Sequence, residues 1–122
     1  MSKRRLGRKT NSPPEGEPWV WHTLALLSSP AWRRRSINCV RLIEFLEIEH
    51  LKHGGADNGN LVAPYSQLAT FGIARRFINQ TIAEAVEAGL VVRLKGGKNG
   101  KGLTECSRFR LTYFWTDRKS VV

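Results

Sequence analysis

The stretch from Leu68 to Leu94, LATFGIARRFINQTIAEAVEAGLVVRL, limits the fold more than any other part of the chain. Ile78, Ile82, Ala85 and Val86 recur at helical spacing, with Phe77 on one flank, and predict a helix over 74–88 with one apolar face. Arg75, Arg76, Asn79, Gln80 and Ala83 are left on its outer face. Just upstream, YSQLATFG predicts a helix of under three turns, with Leu68 and Ala69 inward and Phe71 closing its end. Gly72 supplies a tight turn between the two helices. After Gly89 the run LVVRLKG reads as a strand. Two short helices across one glycine, followed at once by a strand, leave few architectures open.

The flanking sequence narrows them. Met1 to Pro18 is polar and basic with almost nothing to bury, which predicts a disordered arm. PWVWHTLALLSSPAW reads as a short helix carrying Trp21, Leu24, Leu26 and Leu27, stopped by SSP at Ser28 to Pro30. Trp32 is expected to pack back, with Arg33, Arg34 and Arg35 exposed. SINCVRLIEFLEIEHLKHGG places Ile37, Val40, Ile43, Leu46 and Leu51 on overlapping three- and four-residue spacings. It predicts a long, mostly buried helix, capped by Ser36 or Asn38 and ended by Gly54 and Gly55. ADNGN is a turn, and LVAP, closed by Pro64, is a short strand. SRFRLTYFW is a further strand, joined to LVVRLKG by the glycine-rich loop GGKNGKGLTE.

Helix, helix, short strand, helix, tight turn, helix, strand, basic loop, strand is the order of a winged helix-turn-helix domain. SQLATFGIARRFINQTIAEAVEAGLVVRL resembles the signature of bacterial winged-helix DNA-binding proteins, with Ile82, Ala85, Gly89, Leu90 and Val91 matching the ending that leads into the wing. The resemblance covers about Leu61 to Tyr113, and a looser similarity links PAWRRRSINCVRLIEFLEIEHLKHGG and NGNLVAPYSQLATFGI to small helix-turn-helix proteins of plasmids and mobile DNA. The sequence departs from the pattern at Ala74, where the family often has a Ser or Thr cap. The expected class is α+β: a helical core with a small antiparallel sheet and a wing, over residues 19–116. Residues 1–18 form the arm and 117–122 a flexible tail.

Charge points to the partner. Twenty Lys and Arg against ten Asp and Glu give a formal charge of +10 on 122 residues, which favours polyanions. The excess is segregated: residues 1–35 hold eight basic and two acidic side chains, 36–58 two and four, and 75–122 ten and four. A coat that only kept the protein soluble would be mixed throughout. The expected partner is double-stranded DNA, with helix 74–88 in the major groove and the 95–104 wing on the backbone or in the minor groove. Arg75 and Arg76 suit guanine or phosphate, and Asn79 and Gln80 suit adenine, because these side chains pair with base edges. Lys95, Lys98, Asn99 and Lys101 of the wing, and Lys3, Arg4, Arg5, Arg8 and Lys9 of the arm, suit the backbone. The same outer-face residues would also serve a plain solvated helix.

Other chemistries find less support. GGKNGKG lacks the P-loop pattern, since Gly102 follows Lys101 and no helix opens there. No nucleophile elbow or H-E-x-x-H occurs, so catalysis is not expected and no cofactor is implied. His50 and His53, three apart, have no evident third ligand, and no metal is expected; they read as helix-terminal histidines facing the dipole. Cys39 and Cys106 read as buried thiols. No run approaches the ~18 apolar residues of a membrane span and no signal peptide is present, which predicts a cytoplasmic, nucleoid-associated protein.

The leading function is a bacterial transcription regulator. An accessory factor for recombination or replication of a mobile element remains open, as does a winged-helix interaction module using Trp19, Trp21 and Trp32 as anchors. Those tryptophans read first as core. A homodimer on two half-sites is compatible with the resemblance, through the Trp-rich helix or the YFWTDRKSVV tail.

Overall fold

The computed structural model describes residues 14–56, 58–94 and 107–114. Among these, the protein is α+β, with five helices and one three-stranded antiparallel sheet. The elements follow as α1 (Leu24–Ser28), α2 (Pro30–Arg33), α3 (Ile37–Lys52), β1 (Leu61–Val62), α4 (Tyr65–Phe71), α5 (Arg75–Glu87), β2 (Val91–Leu94) and β3 (Arg108–Leu111).

The core is built around α3. Cys39, Leu42, Ile43, Phe45 and Leu46 are buried along one of its sides and meet Leu68 of α4, Ile78, Ile82 and Ala85 of α5, and Leu61, Val91, Phe109 and Leu111 of the sheet. Each large aliphatic side chain here contributes about 1.5–3 kcal/mol relative to exposure, so this cluster outweighs any polar contact in the molecule. Ser36 caps α3 by accepting from the Cys39 N–H at 3.1 Å. Its own N–H and hydroxyl donate to the Glu84 carboxylate at 2.9 and 2.6 Å, fixing the start of α3 against α5.

β3 is central, in the order β1-β3-β2. Leu61 pairs with Phe109, and Val91 to Leu94 pair with Leu111 to Arg108. Asn58 continues the ladder beyond β1: its amide donates to the Leu111 carbonyl at 3.0 Å and accepts from the Leu111 N–H at 2.8 Å. This side chain stands in for a strand residue that the two-residue β1 lacks.

Five expectations are corrected. The first helix does not span the tryptophans, because Thr23 accepts from the Leu26 N–H and starts α1 only at Leu24. SSP is a start as well as a stop, since Ser29 accepts from the Trp32 N–H and Pro30 opens α2 in the position where a missing N–H costs nothing. Trp19 and Trp21 are not core but exposed, and only Trp32 packs inward. Ile37 and Val86 also face outward. On α5 the fourth buried position is Thr81, whose hydroxyl donates to the Phe77 carbonyl at 2.6 Å and can therefore enter the core without an unmet bond.

Candidate nucleic-acid interface

The α4–α5 turn sets the direction of the outer helix. Gly72 has φ of 123°, a region that L side chains rarely adopt, and its N–H bonds back to the Leu68 and Ala69 carbonyls. Arg41, from α3, donates through Nη1 to the Gly72 carbonyl at 3.0 Å and lies across the turn. Three helices thus meet at one hydrogen-bonded point, while Ile73 just beyond it is fully buried.

From this anchor α5 runs with Ile78, Thr81, Ile82 and Ala85 inward. Arg75, Arg76, Asn79 and Gln80 are all exposed, and at about 100° per residue they share an arc of roughly 140° opposite the buried stripe. Ala74 offers no side-chain cap. The partial positive charge of the helix start therefore lies beside Arg75 and Arg76 with no side-chain oxygen accepting from it.

The four side chains differ in their surroundings. The Arg76 guanidinium lies 4.7 Å from the Phe77 ring centroid, a cation–π contact that restrains it. Asn79 is bonded to Tyr65, whose hydroxyl donates to Oδ1. Gln80 lines a groove between α2 and α5 together with Ala31, Arg34, Arg35, Ala83, Glu84, Glu87 and Ala88. It stands nearer to Arg34 than its place in the sequence suggests. Arg35 is already engaged: its guanidinium lies 3.6 Å from the Trp32 ring centroid and Nε donates to the Trp32 carbonyl at 2.7 Å. Arg33 and Arg34 are exposed as expected, whereas Arg35 is half-buried.

The wing residues Lys95, Lys98, Asn99 and Lys101, the arm residues Lys3, Arg4, Arg5, Arg8 and Lys9, and Cys106 lie outside the described residues. The structure does fix the base of the loop between β2 and β3. Leu94 and Arg108 are opposite one another in the ladder, so the chain leaves and re-enters the sheet at adjacent points. Arg93 Nε donates to Ser107 Oγ at 2.9 Å across that base. Arg108 and Arg110 on β3 add cationic side chains to the sheet.

A second polar cluster lies around α3, away from the α5 residues. Glu47 Oε2 accepts from Tyr113 OH at 2.6 Å and sits 2.8 Å from His22 Nε2. His22, Trp32 and Tyr113 pack at steep angles to one another beside this carboxylate. Burial, reinforced by the Glu47 charge, holds the Tyr113 phenol far above its ordinary value. Burial likewise pushes the Cys39 thiol up to about 11, with Glu84 adding to the effect. His50 does not face the dipole in solvent. It is buried, stacked on Phe114 at 4.9 Å, and its Nδ1 has no hydrogen-bond partner among the described residues. Its pKa is lowered by burial, with Glu47 opposing the shift. Among the described residues no three His, Cys, Asp or Glu side chains are grouped to hold a metal ion, and no helix is long and apolar enough to cross a membrane.

Sequence patterning brings Arg75, Arg76, Asn79 and Gln80 to one face but misses Tyr65, Arg41, Arg34 and Glu84, which position or flank it. Tyr65 and Arg41 act across 14 and 31 residues, beyond any local spacing. No family of sequences, no curated protein and no solved structure matches this chain.

Proposed function

We propose that the protein is a winged helix-turn-helix protein that binds double-stranded DNA, with α5 as the recognition helix. The observation that carries this reading is the polar face of α5: two arginines and two amides on one arc of a helix whose opposite side is locked into the core. A helix about 10–12 Å across fits the ~12 Å major groove, and these side chains are the types that pair with base edges. A plain solvated helix would accept the same residues, and the turn held by Arg41 adds a fixed direction for α5. The connection between β2 and β3 begins and ends at paired residues, Leu94 and Arg108, as a wing's does, and the +10 charge supplies long-range attraction to phosphates.

The chain acts as a regulator or as an accessory factor on mobile DNA, without a cofactor, and a bend-angle measurement separates the two. The test of binding itself is fluorescence anisotropy on a random duplex against salt. Submicromolar affinity at low salt is expected, with a loss of about 10³-fold or more between ~50 and ~200 mM if six or more phosphates are contacted. Absent or salt-independent binding overturns the proposal.

A further inference from the structure

Four of the large apolar side chains that the described residues leave exposed fall within nine consecutive positions: Trp19 at 54%, Trp21 at 57%, Leu24 at 80% and Leu27 at 46%. Their segment is not loosely attached. His22, just after Trp21, packs against Trp32 and Tyr113 and reaches Glu47 on α3 at 2.8 Å. Thr23 and Ser29 then cap α1 and α2 in succession. The backbone is pinned inward at His22 while Trp19 and Trp21 are held outward. At the edge of the patch, Val20, Trp21, Thr23, Tyr113 and Phe114 line a half-open pocket of about 120 Å³, comparable in volume with the ~150 Å³ that admits a benzene ring.

We infer that this face is the interface between two copies of the chain in a homodimer, with an apolar side chain of each copy seated in the pocket of the other. Charge argues for a second copy. Residues 14–32 contain two glutamates and no lysine or arginine, in a chain whose net charge is +10. Two copies can therefore meet over this segment without opposing lysines or arginines within it, Arg33 and Arg34 lying just beyond its end, and nucleic acid has no cation on the segment itself to draw it. Area argues the same way. With about 250 Å² for a whole tryptophan, the four side chains offer roughly 450 Å² of apolar surface per copy. A standard interface buries ~800 Å² per partner, a little over half of it apolar, which is the same quantity. An isologous contact of this kind closes on itself and stops at two.

The inference is independent of DNA binding, and its test contains no DNA. Sedimentation equilibrium of the full chain, up to about 100 µM and in high salt to screen the +10 charge, should give twice 13.8 kDa. Leu24→Asp, at the most exposed of the four positions, should raise the dimer dissociation constant about thirtyfold or more with an unchanged far-UV spectrum and melting temperature. Trp21→Ala, which opens the pocket wall, should do the same. Val86→Asp, at an exposed apolar site on α5, should leave the dimer intact. A wild-type monomer at the highest concentration overturns the inference, whether because residues 115–122 of the same chain cover the patch or because nothing does. A dimer that survives both Leu24→Asp and Trp21→Ala overturns it equally.

Discussion

Single side chains divide into those that face outward and those that hold them there, and Asn79 with Tyr65 shows the division most clearly. The Tyr65 hydroxyl occupies one lone pair of Asn79 Oδ1 and fixes which way the amide turns. Tyr65→Phe should leave stability within about 0.5 kcal/mol, because the pair is exposed, yet relax base preference at one position of the target. Asn79→Ala should cost about 1–3 kcal/mol of specific binding and little of non-specific binding. Competition of selected against random duplex measures both, and equal losses on the two DNAs would reduce Asn79 to a backbone contact. His50 makes the residue-scale prediction for pH. Its folded-state pKa lies below the ordinary 6.5, so the unfolded chain binds more protons, and the stability held above pH 6.5 is lost as pH falls towards the lowered value. His50→Phe, which keeps a ring against Phe114, should flatten the dependence of the melting temperature on pH below neutrality. A wild-type melting temperature that does not fall there would contradict the burial argument.

Among the elements, the α4–α5 turn decides how α5 is presented. Gly72→Ala is strained by a φ of 123°, with Arg41 Cδ in contact at 3.4 Å from the new Cβ. A destabilisation of about 1–2 kcal/mol is expected, together with weaker DNA binding as α5 tilts or Arg41 releases the turn. Gly89 has φ of 79° but open space around it, so Gly89→Asn should cost less than Gly72→Ala, asparagine being tolerated in left-handed helix ends. Urea denaturation of the two variants gives the comparison. The elements are legible in the sequence because each signal is local: Ser36 at a cap, Gly54 and Gly55 at an end, Gly72 in a turn, alternation in β3. What is not legible depends on distance along the chain or on a polar group finding its own partner. Thr81 enters the core because its hydroxyl reaches a carbonyl one turn back in α5, and apolar periodicity alone assigns that place to Val86. The glutamate that anchors Ser36 is 48 residues away. Apolar character reads Trp19 and Trp21 as core, whereas Thr23 starts the helix too late to carry them inward. At the site, patterning finds the polar face of α5 but not Tyr65 or Arg41, since neither lies at a helical spacing from it.

Across the whole molecule, charge and apolar character are separated along the chain. The segment holding Trp19, Trp21 and Leu24 has no Lys or Arg, while 75–122 has ten. If the cationic side meets phosphates, its contributions should appear in the salt dependence and not in sequence preference, because each neutralised phosphate releases a counterion on any duplex. Lys98 and Lys101 together, and the stretch from Met1 to Thr10, are the tests, since removing them takes away charge without touching the core around α3. Lys98→Ala with Lys101→Ala should lower the magnitude of the slope of log affinity against log salt by about one unit for each phosphate no longer neutralised, on specific and random DNA alike. Deleting residues 1–10 should act in the same way and add to the double substitution, because distant charges contribute independently. Folding should change by only a few tenths of a kcal/mol. Asn79→Ala behaves oppositely, altering preference before slope, and so serves as the internal control. An unchanged slope and affinity in both the loop variant and the truncation, with the fold intact, would confine DNA contact to α5 and the sheet arginines and leave the +10 charge to attract the duplex only from a distance.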